Sequence, residues 1–403
     1  MFSWLPQLSP QVWLLAAGRL LLQVGTGFTL FYAPIVFVNQ VGLSATAVGI
    51  ALGSASVSGM VGRFLGGVFA DSPQWGRRRT LLLAALVSAL ADVVLMLTQN
   101  LPTLLLGNLL MGLGIGLYWP ATEAAVADLT PIAERNEAFA TTRLADSIGL
   151  GLGVILGGWL IASGGNFRWL FAADGLSFLV FFGVIYAAIA ETYDFSRQAT
   201  PPATNWLQIF RHYGQVVTGD RPLALFLAVN VLFTTYIAQI QSSIPLYFSN
   251  FVRVSPETLG FAPRAISWLF SAHVIFAALC QLPMARKLNR FSRPHALAIS
   301  MVLWGIGFVA VWLTGNLGWA ALPLATLTLA IFALATVAYT PSASSLVVEL
   351  APESQRGLYT SLSSQCWAVG YFIGPPLGGW ALDQARWVAD GFWLAPRQSV
   401  CWG

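Results

Sequence analysis

Lysine is nearly missing from this chain: Lys287 is the only one among 403 residues, and charged residues of all kinds make up 9%. So little charge excludes a water-exposed surface wrapped around a soluble core. The basic excess that remains, a formal +4, comes from arginines scattered over short loops, which gives no basic face for nucleic acid. Cysteine is scarce as well. Cys280, Cys366 and Cys401 have neither the spacing of a disulfide framework nor that of a metal site. No glycine loop ending in GK[ST], no HExxH and no Ser, His and Asp arrangement occurs, so no enzyme activity, metal or cofactor is expected. With no nucleotide site, work must come from an ion gradient or from the solute's own gradient. No Lys or Arg precedes Arg19, and the first apolar run ends without a small-residue cleavage site, so it reads as a retained span.

What is abundant is apolar: 57% hydrophobic residues and a mean hydropathy of +0.70. Such a chain needs lipid as its solvent, and a spanning helix takes roughly 20 apolar residues. Apolar runs fall at 10–38, 46–70, 80–98, 103–127, 141–163, 168–190, 222–250, 264–285, 295–314, 318–348 and 357–383, which predicts eleven transmembrane helices. The charged segment 191–221, with Pro201 and Pro202, reads as a cytoplasmic linker between an N-terminal six-helix bundle at 1–190 and a C-terminal bundle at 222–403 with five evident helices. Arginines crowd every second loop, and positive loops stay on the cytoplasmic side. An integral inner (plasma) membrane protein with a cytoplasmic N-terminus is expected.

The two halves repeat each other. Tyr118 and Pro120 recur 221 residues later as Tyr339 and Pro341, and Asp128 to Arg135 recurs as Glu349 to Arg356. Gly149, Gly153, Gly157, Gly158 and Trp159 recur as Gly370, Gly374, Gly378, Gly379 and Trp380. Two halves in the same orientation imply a pseudo-two-fold axis along the membrane normal, a cavity where they meet, and alternating access. Carried forward, the repeat predicts a twelfth span at about 390–411, yet the chain ends in the short polar run Ala395 to Gly403. A truncated or frameshifted last helix is favoured over a true eleven-span protein.

The loop between spans two and three holds Gly67, Asp71, Gly76, Arg77 and Arg78. It is similar to the GxxxDRxGRR signature of the major facilitator superfamily, with Ser72 in place of the first Arg and Pro73 adding one residue. The second-half copy, Asn289 to Arg293, is degenerate. The resemblance implies an all-α membrane protein with a 6+6 two-bundle plan, and within the family it is closest in pattern to the drug:proton antiporters. It also implies that Asp71 is a conformational latch. Physically, a carboxylate at one helix end can accept hydrogen bonds from a neighbouring helix N-terminus in only one of two states. The bland alternative, positive charge that sets topology, explains the arginines but not Asp71. Asp128 with Arg135, and Glu349 with Arg356, resemble the loops that brace this latch, or are surface capping. The glycines at Gly149, Gly153 and Gly157 resemble the family's antiporter motif with Val154 in place of its proline, whereas Gly374, Pro375, Gly378 and Gly379 match it fully. Glycines four apart let helices approach closely, and tight packing between the halves is expected of them. In span four, Asn108 stands where the family's proton-coupled exporters carry Arg.

Ionisable residues inside spans are functional candidates by default. Asp92, Glu123, Asp146 and Asp174 are the acids that qualify. Arg143 and Asp146 lie three apart and are expected to neutralise each other, with Glu123 nearby, as a site for a coupling proton, another ion or a charged group of the substrate. A static ion pair is the alternative. Asp92 has no local partner and reads as a lone proton carrier; Asp174, near Arg168, reads as interfacial structure. Gln23, Tyr32, Asn108, Tyr118, Trp119, Asn230, Gln239, Tyr339 and Trp367 are expected to line the cavity. The function expected is secondary transport of a small solute by rocking-bundle alternating access, by a monomer, with efflux of amphipathic compounds by proton antiport as the leading version. An importer or uniporter of the same fold, and a transport-inactive scaffold, sensor or truncated remnant, are the alternatives.

Overall fold

A computed structural model describes residues 8–72, 74–131, 134–163, 166–192, 214–255, 257–288, 290–352 and 355–394. The central segment 193–213, which covers most of the expected linker, and the terminal run from Ala395 lie outside the described residues. So does Asn289 of the degenerate second-half loop.

Three of the helices begin where an apolar run meets a start signal in the sequence. Ser9, Asn100 and Asp220 each cap a helix with a side-chain oxygen that accepts a backbone N–H, at 3.4 Å, 3.1 Å and 3.1 Å respectively. Each cap is followed by a proline in the first turn, where a missing N–H costs nothing. The helices are α1 (Pro10–Thr29), α2 (Ala33–Asn39), α3 (Ala45–Ala70), α4 (Gly76–Met96), α5 (Leu101–Asp128), α6 (Arg135–Ala162) and α7 (Arg168–Ala188). They continue as α8 (Arg221–Gln241), α9 (Ser243–Asn250), α10 (Pro263–Leu288), α11 (Arg293–Asn316), α12 (Ala321–Leu350), α13 (Arg356–Leu382) and the short α14 (Arg386–Gly391). No named strand occurs among the described residues. Taking α1 with α2 and α8 with α9, ten helices among the described residues are long and apolar enough to cross a membrane, and α13 is a further helix of 27 residues.

Two of the predicted spans are broken. The run 10–38 is interrupted at residues 30–32, and the run 222–250 at Ser242. Pro34 and Pro245 explain both breaks: each lacks an N–H, and its ring clashes with the carbonyl four residues back, at Leu30 and Gln241.

Contacts divide the chain into two units, residues 1–43 with 50–200, and residues 44–49 with 201–403. In the first unit α1 packs on α6 and α7, and α4 packs on α5 and α7. In the second, α8 packs on α13, and α12 packs on α10 and α11. The repeated glycines make the α1–α6 and α8–α13 contacts. A Cβ on Gly157 would stand 3.0 Å from the Cα of Phe28, and one on Gly374 would stand 2.8 Å from the Cβ of Ala238. Expected to pack the halves together, Gly149, Gly153, Gly157, Gly370, Gly374 and Gly378 instead bring helices together inside each unit. The reason is local: in each half the glycine face meets the first helix of that half, α1 or α8, whose backbone comes too close for a side chain.

Near the end of the described residues the second unit has a docked turn. Trp393 is fully buried, with its ring 5.3 Å from that of Tyr247. Tyr247 donates to Asp390 at 2.6 Å, and Arg386 bonds Asp390 at 3.2 Å and the carbonyl of Phe251 at 2.5 Å.

Candidate functional site

The most buried charge in the first unit is Arg19, in the middle of α1 and fully shielded from solvent. Its Nε donates to Asp146 Oδ1 of α6 at 3.0 Å, and its Nη2 pairs with Asp146 Oδ2, so the contact is a two-pronged fork. Its Nη1 lies 3.7 Å from Glu123 of α5, and its guanidinium sits 5.0 Å from the centre of the Trp119 ring. Three groups from two neighbouring helices therefore surround one cation, which is how a charge can persist in an apolar interior. The glycines of α6 permit it: Gly149 lies against Leu20 and Gln23, so the α1 backbone beside Arg19 rests directly on α6.

Arg143 and Asp146, expected to neutralise each other, have other partners. Arg143 is mostly exposed and stands 4.0 Å from Glu123, while Asp146 belongs to Arg19. Spacing on one helix favoured the first pair; a fully desolvated arginine on a neighbouring helix outbids an arginine that water already solvates. Arg19 itself was missed. The signal was available, since an arginine nine residues into an apolar run is as costly as any of the acids that were singled out.

Around the loop between α3 and α4, Arg77 is the hub. It pairs with Asp71 at 2.9 Å and Asp128 at 3.0 Å, and it donates to the carbonyl of Ala70. Asp71 is mostly exposed. The carboxylate that caps a helix here is Glu191, which accepts from the backbone N–H of Arg77 at 2.9 Å and of Arg78 at 3.2 Å. Gly76 makes this cap possible. Its φ is +79°, and a Cβ there would stand 2.5 Å from the Glu191 carboxyl carbon. Arg78 reaches the carbonyl of Tyr186 at 2.5 Å and lies over that ring. Gly67, in contrast, has open space at its Cβ position. Glu191→Ala is expected to leave two N–H groups of the first turn of α4 without their acceptor and to cost about 1 kcal/mol, read as a lower midpoint in thermal unfolding of the purified protein.

Arg135 opens α6, and no bond joins it to Asp128, whose partners include Arg77 and Thr192. Glu349 accepts from Arg293 at 3.2 Å. Arg356 opens α13, and its side chain lies outside the described residues.

The residues expected to line a cavity separate into two groups. Tyr32 is buried and donates to the Val154 carbonyl at 2.9 Å, and Asn108 is buried and donates to the Leu104 carbonyl of its own helix. Asn230 donates to Ser363 at 3.1 Å and accepts from Tyr339, and both are buried. Gln239 donates to the Gly374 carbonyl at 2.8 Å. Four of these five spend hydrogen bonds on helix contacts within their own unit, and Asn108 spends its own inside α5. Gln23, Tyr118, Trp119 and Trp367 are half-buried and keep surface for a ligand.

Asp92 and Asp174 are buried, at 1% and 2% exposure, on the packed helices α4 and α7, and the Cβ position of Gly175, the residue after Asp174, stands 3.8 Å from Asp92 Oδ2. Asp92 therefore has a neighbour, though not one of opposite charge. Asp174 is not paired with Arg168: it accepts from Thr29 of α1, while Arg168 is exposed at the start of α7.

A family model described as Major Facilitator Superfamily matches residues 15–255 and 250–395. The chain is 25% identical over 357 residues to a protein of Salmonella schwarzengrund named Multidrug resistance protein MdtH, covering 88% of this chain and 82% of that one. Crystal structures of similar fold include the nucleoside transporter NupG, at a TM-score of 0.80 and 14% identity over 98% of this chain and 97% of the other. A D-xylose-proton symporter follows at 0.72 and 17%, over 97% and 96%.

Proposed function

Because this chain belongs to the Major Facilitator Superfamily and is a membrane transporter, we propose that it exports amphipathic compounds across the inner membrane in exchange for protons, by rocking-bundle alternating access with a cytoplasmic N-terminus. The observation that carries the coupling is the arrangement around Arg19. Asp146 holds Arg19 with two bonds, whereas Glu123 stands at 3.7 Å from Arg19 and 4.0 Å from Arg143, with about a third of its side chain exposed. Glu123 is thus the carboxylate that can gain or lose a proton without stranding the buried arginine. The half-buried rings of Tyr118 and Trp119, 5.5 Å apart, stand beside it and suit a flat or greasy ligand. The name of the Salmonella relative points the same way.

The test is transport in proteoliposomes with ethidium as the probe and an imposed pH gradient. Wild-type protein is expected to accumulate the dye against its gradient, and Glu123→Gln to lose that accumulation while retaining dye exchange. Unchanged uphill accumulation in Glu123→Gln would leave Glu123 structural. Asn108 favours the second reading, a solute importer or uniporter, because it spends its amide on the Leu104 carbonyl and offers no charge. Absence of pH-driven dye movement in the wild type would favour it.

The Asp71 latch carries its own expected outcome. An exposed Asp71–Arg77 pair contributes at most about 1 kcal/mol to stability. Asp71→Asn should therefore leave membrane insertion and thermal stability unchanged while abolishing transport. Full transport in that variant removes the latch role.

A further inference from the structure

Three buried carboxylate oxygens in the first unit have no hydrogen-bond donor: Oδ1 and Oδ2 of Asp92 and Oδ1 of Asp174. Each element packed around them has been bared of cations at this level. In α5 no charged residue occurs between Leu101 and Thr122, and its Gly107 and Gly114 lie against Leu95 and Ser88, one turn to either side of Asp92. On α1 the residues facing Asp174 are Thr29, which donates at 3.3 Å, and Gly25, whose Cβ position is 3.2 Å from the carboxyl carbon. On α7 itself the near polar neighbour is Ser177, whose hydroxyl donates to the Asp174 carbonyl at 2.7 Å, and the Cβ position of Gly175 is 3.2 Å from Asp92 Cβ. No ion pair joins either acid among the described residues.

We propose that Asp92 and Asp174 form a proton-binding carboxyl pair between α4 and α7, a second ion site separate from the cluster around Arg19. Two like charges cannot both persist where neither water nor a cation offsets them. A single proton changes that, because a protonated carboxyl is itself a donor and supplies what the orphaned oxygens lack. A metal ion fits worse, since two carboxyls and one or two hydroxyls fall short of the six or more oxygens that hard cations such as Ca²⁺ take from protein and water. The pair is also placed to act on the helices. Gly25 of α1 rests directly on Asp174 and Gly175 of α7 on Asp92, so a change of charge here alters the seat of α1 and the α4–α7 contact together.

The site has an approach from the hydrocarbon. A groove of about 570 Å³ runs between α4 and α7 and reaches Asp92, and its walls include Leu86, Leu90, Val93, Leu176 and Leu179, all exposed apolar side chains. An apolar reagent dissolved in the bilayer can therefore come up to Asp92 and reach its carboxyl by a small shift of the groove walls.

The experiment uses the full-length protein in proteoliposomes treated with N,N′-dicyclohexylcarbodiimide, which modifies protonated carboxyls, over a series of pH values, with peptide mass spectrometry to locate the adduct. The expected result is labelling of Asp92 that falls about tenfold for each pH unit above its midpoint, and a midpoint that moves in Asp174→Asn, where the neighbouring charge is gone. Glu123→Gln should leave the labelling of Asp92 unchanged, which keeps this site distinct from the coupling proposed for Glu123. No adduct at Asp92 at any pH overturns the proposal. So does labelling that ignores both pH and the Asp174→Asn substitution. The wild-type series decides the matter even where a variant fails to fold.

Discussion

Arg19→Met should be the most damaging single substitution in this protein. It leaves Asp146, with its side chain 15% exposed, without the two bonds that now hold it. Breaking a buried pair from one side costs about 3–5 kcal/mol, because the remaining charge has little solvent to return to. Thermal unfolding of the detergent-purified protein should show this as a large drop in midpoint and in monomer recovered by size exclusion. The double variant Arg19→Met with Asp146→Leu separates stability from function. With both charges gone the interior is apolar again, so much of the stability should return, while transport stays absent because Glu123 has lost the buried arginine beside it. A double variant as unstable as Arg19→Met alone would mean that the helices require the pair for packing. A double variant that transports would remove the cluster from the mechanism. Arg19→Lys is a weaker rescue, since a single ammonium cannot match the planar fork that now spans both Asp146 oxygens.

Gly153→Val should come second. Gly153 sits where α6 crosses α1: a side chain there would enter the Val24 carbonyl and stand 2.8 Å from the Cα of Gly27. Gly27 mirrors this, since its own Cβ position is 2.7 Å from the Cα of Gly153. These neighbours are backbone, so no rotamer change makes room and α1 must lift away from α6. Overpacking of this kind costs about 1–3 kcal/mol. The same displacement pulls Arg19, about two turns along α1, away from Asp146, so transport should fall together with stability. Gly183→Val on α7 is the matched control, because Gly183 is exposed and has open space at its Cβ position. It should unfold at the wild-type midpoint; equal damage from both substitutions would mean that loss of glycine itself, and not the α1–α6 crossing, is responsible.

The elements were legible one by one. Runs of about 20 apolar residues marked the spans, while the capping roles of Ser9, Asn100 and Asp220 came from the structure. The breaks at residues 30–32 and at Ser242 were not read, although Pro34 and Pro245 stood in the sequence, because hydropathy continues through a proline unchanged. Glu191 was placed at the start of a linker; its role as the cap of α4 depends on a contact 114 residues away in the chain, with Arg77.

Composition, run length and the internal repeat determined by themselves that this chain is a helical membrane protein built from two like halves, because each of those signals is local or periodic and lipid demands it of every span. Tertiary structure alone decided the partners. Arg19 meets Asp146 across 127 residues, and Asp92 lies against the α7 segment that carries Asp174. A helix in water shows its inward face as an apolar stripe, but a helix in lipid is apolar all round, so its sequence does not say which way it is turned. That rotation is chosen only when glycines such as Gly149 and Gly153 find the backbone they can approach, and it is the rotation that brings the buried charges together.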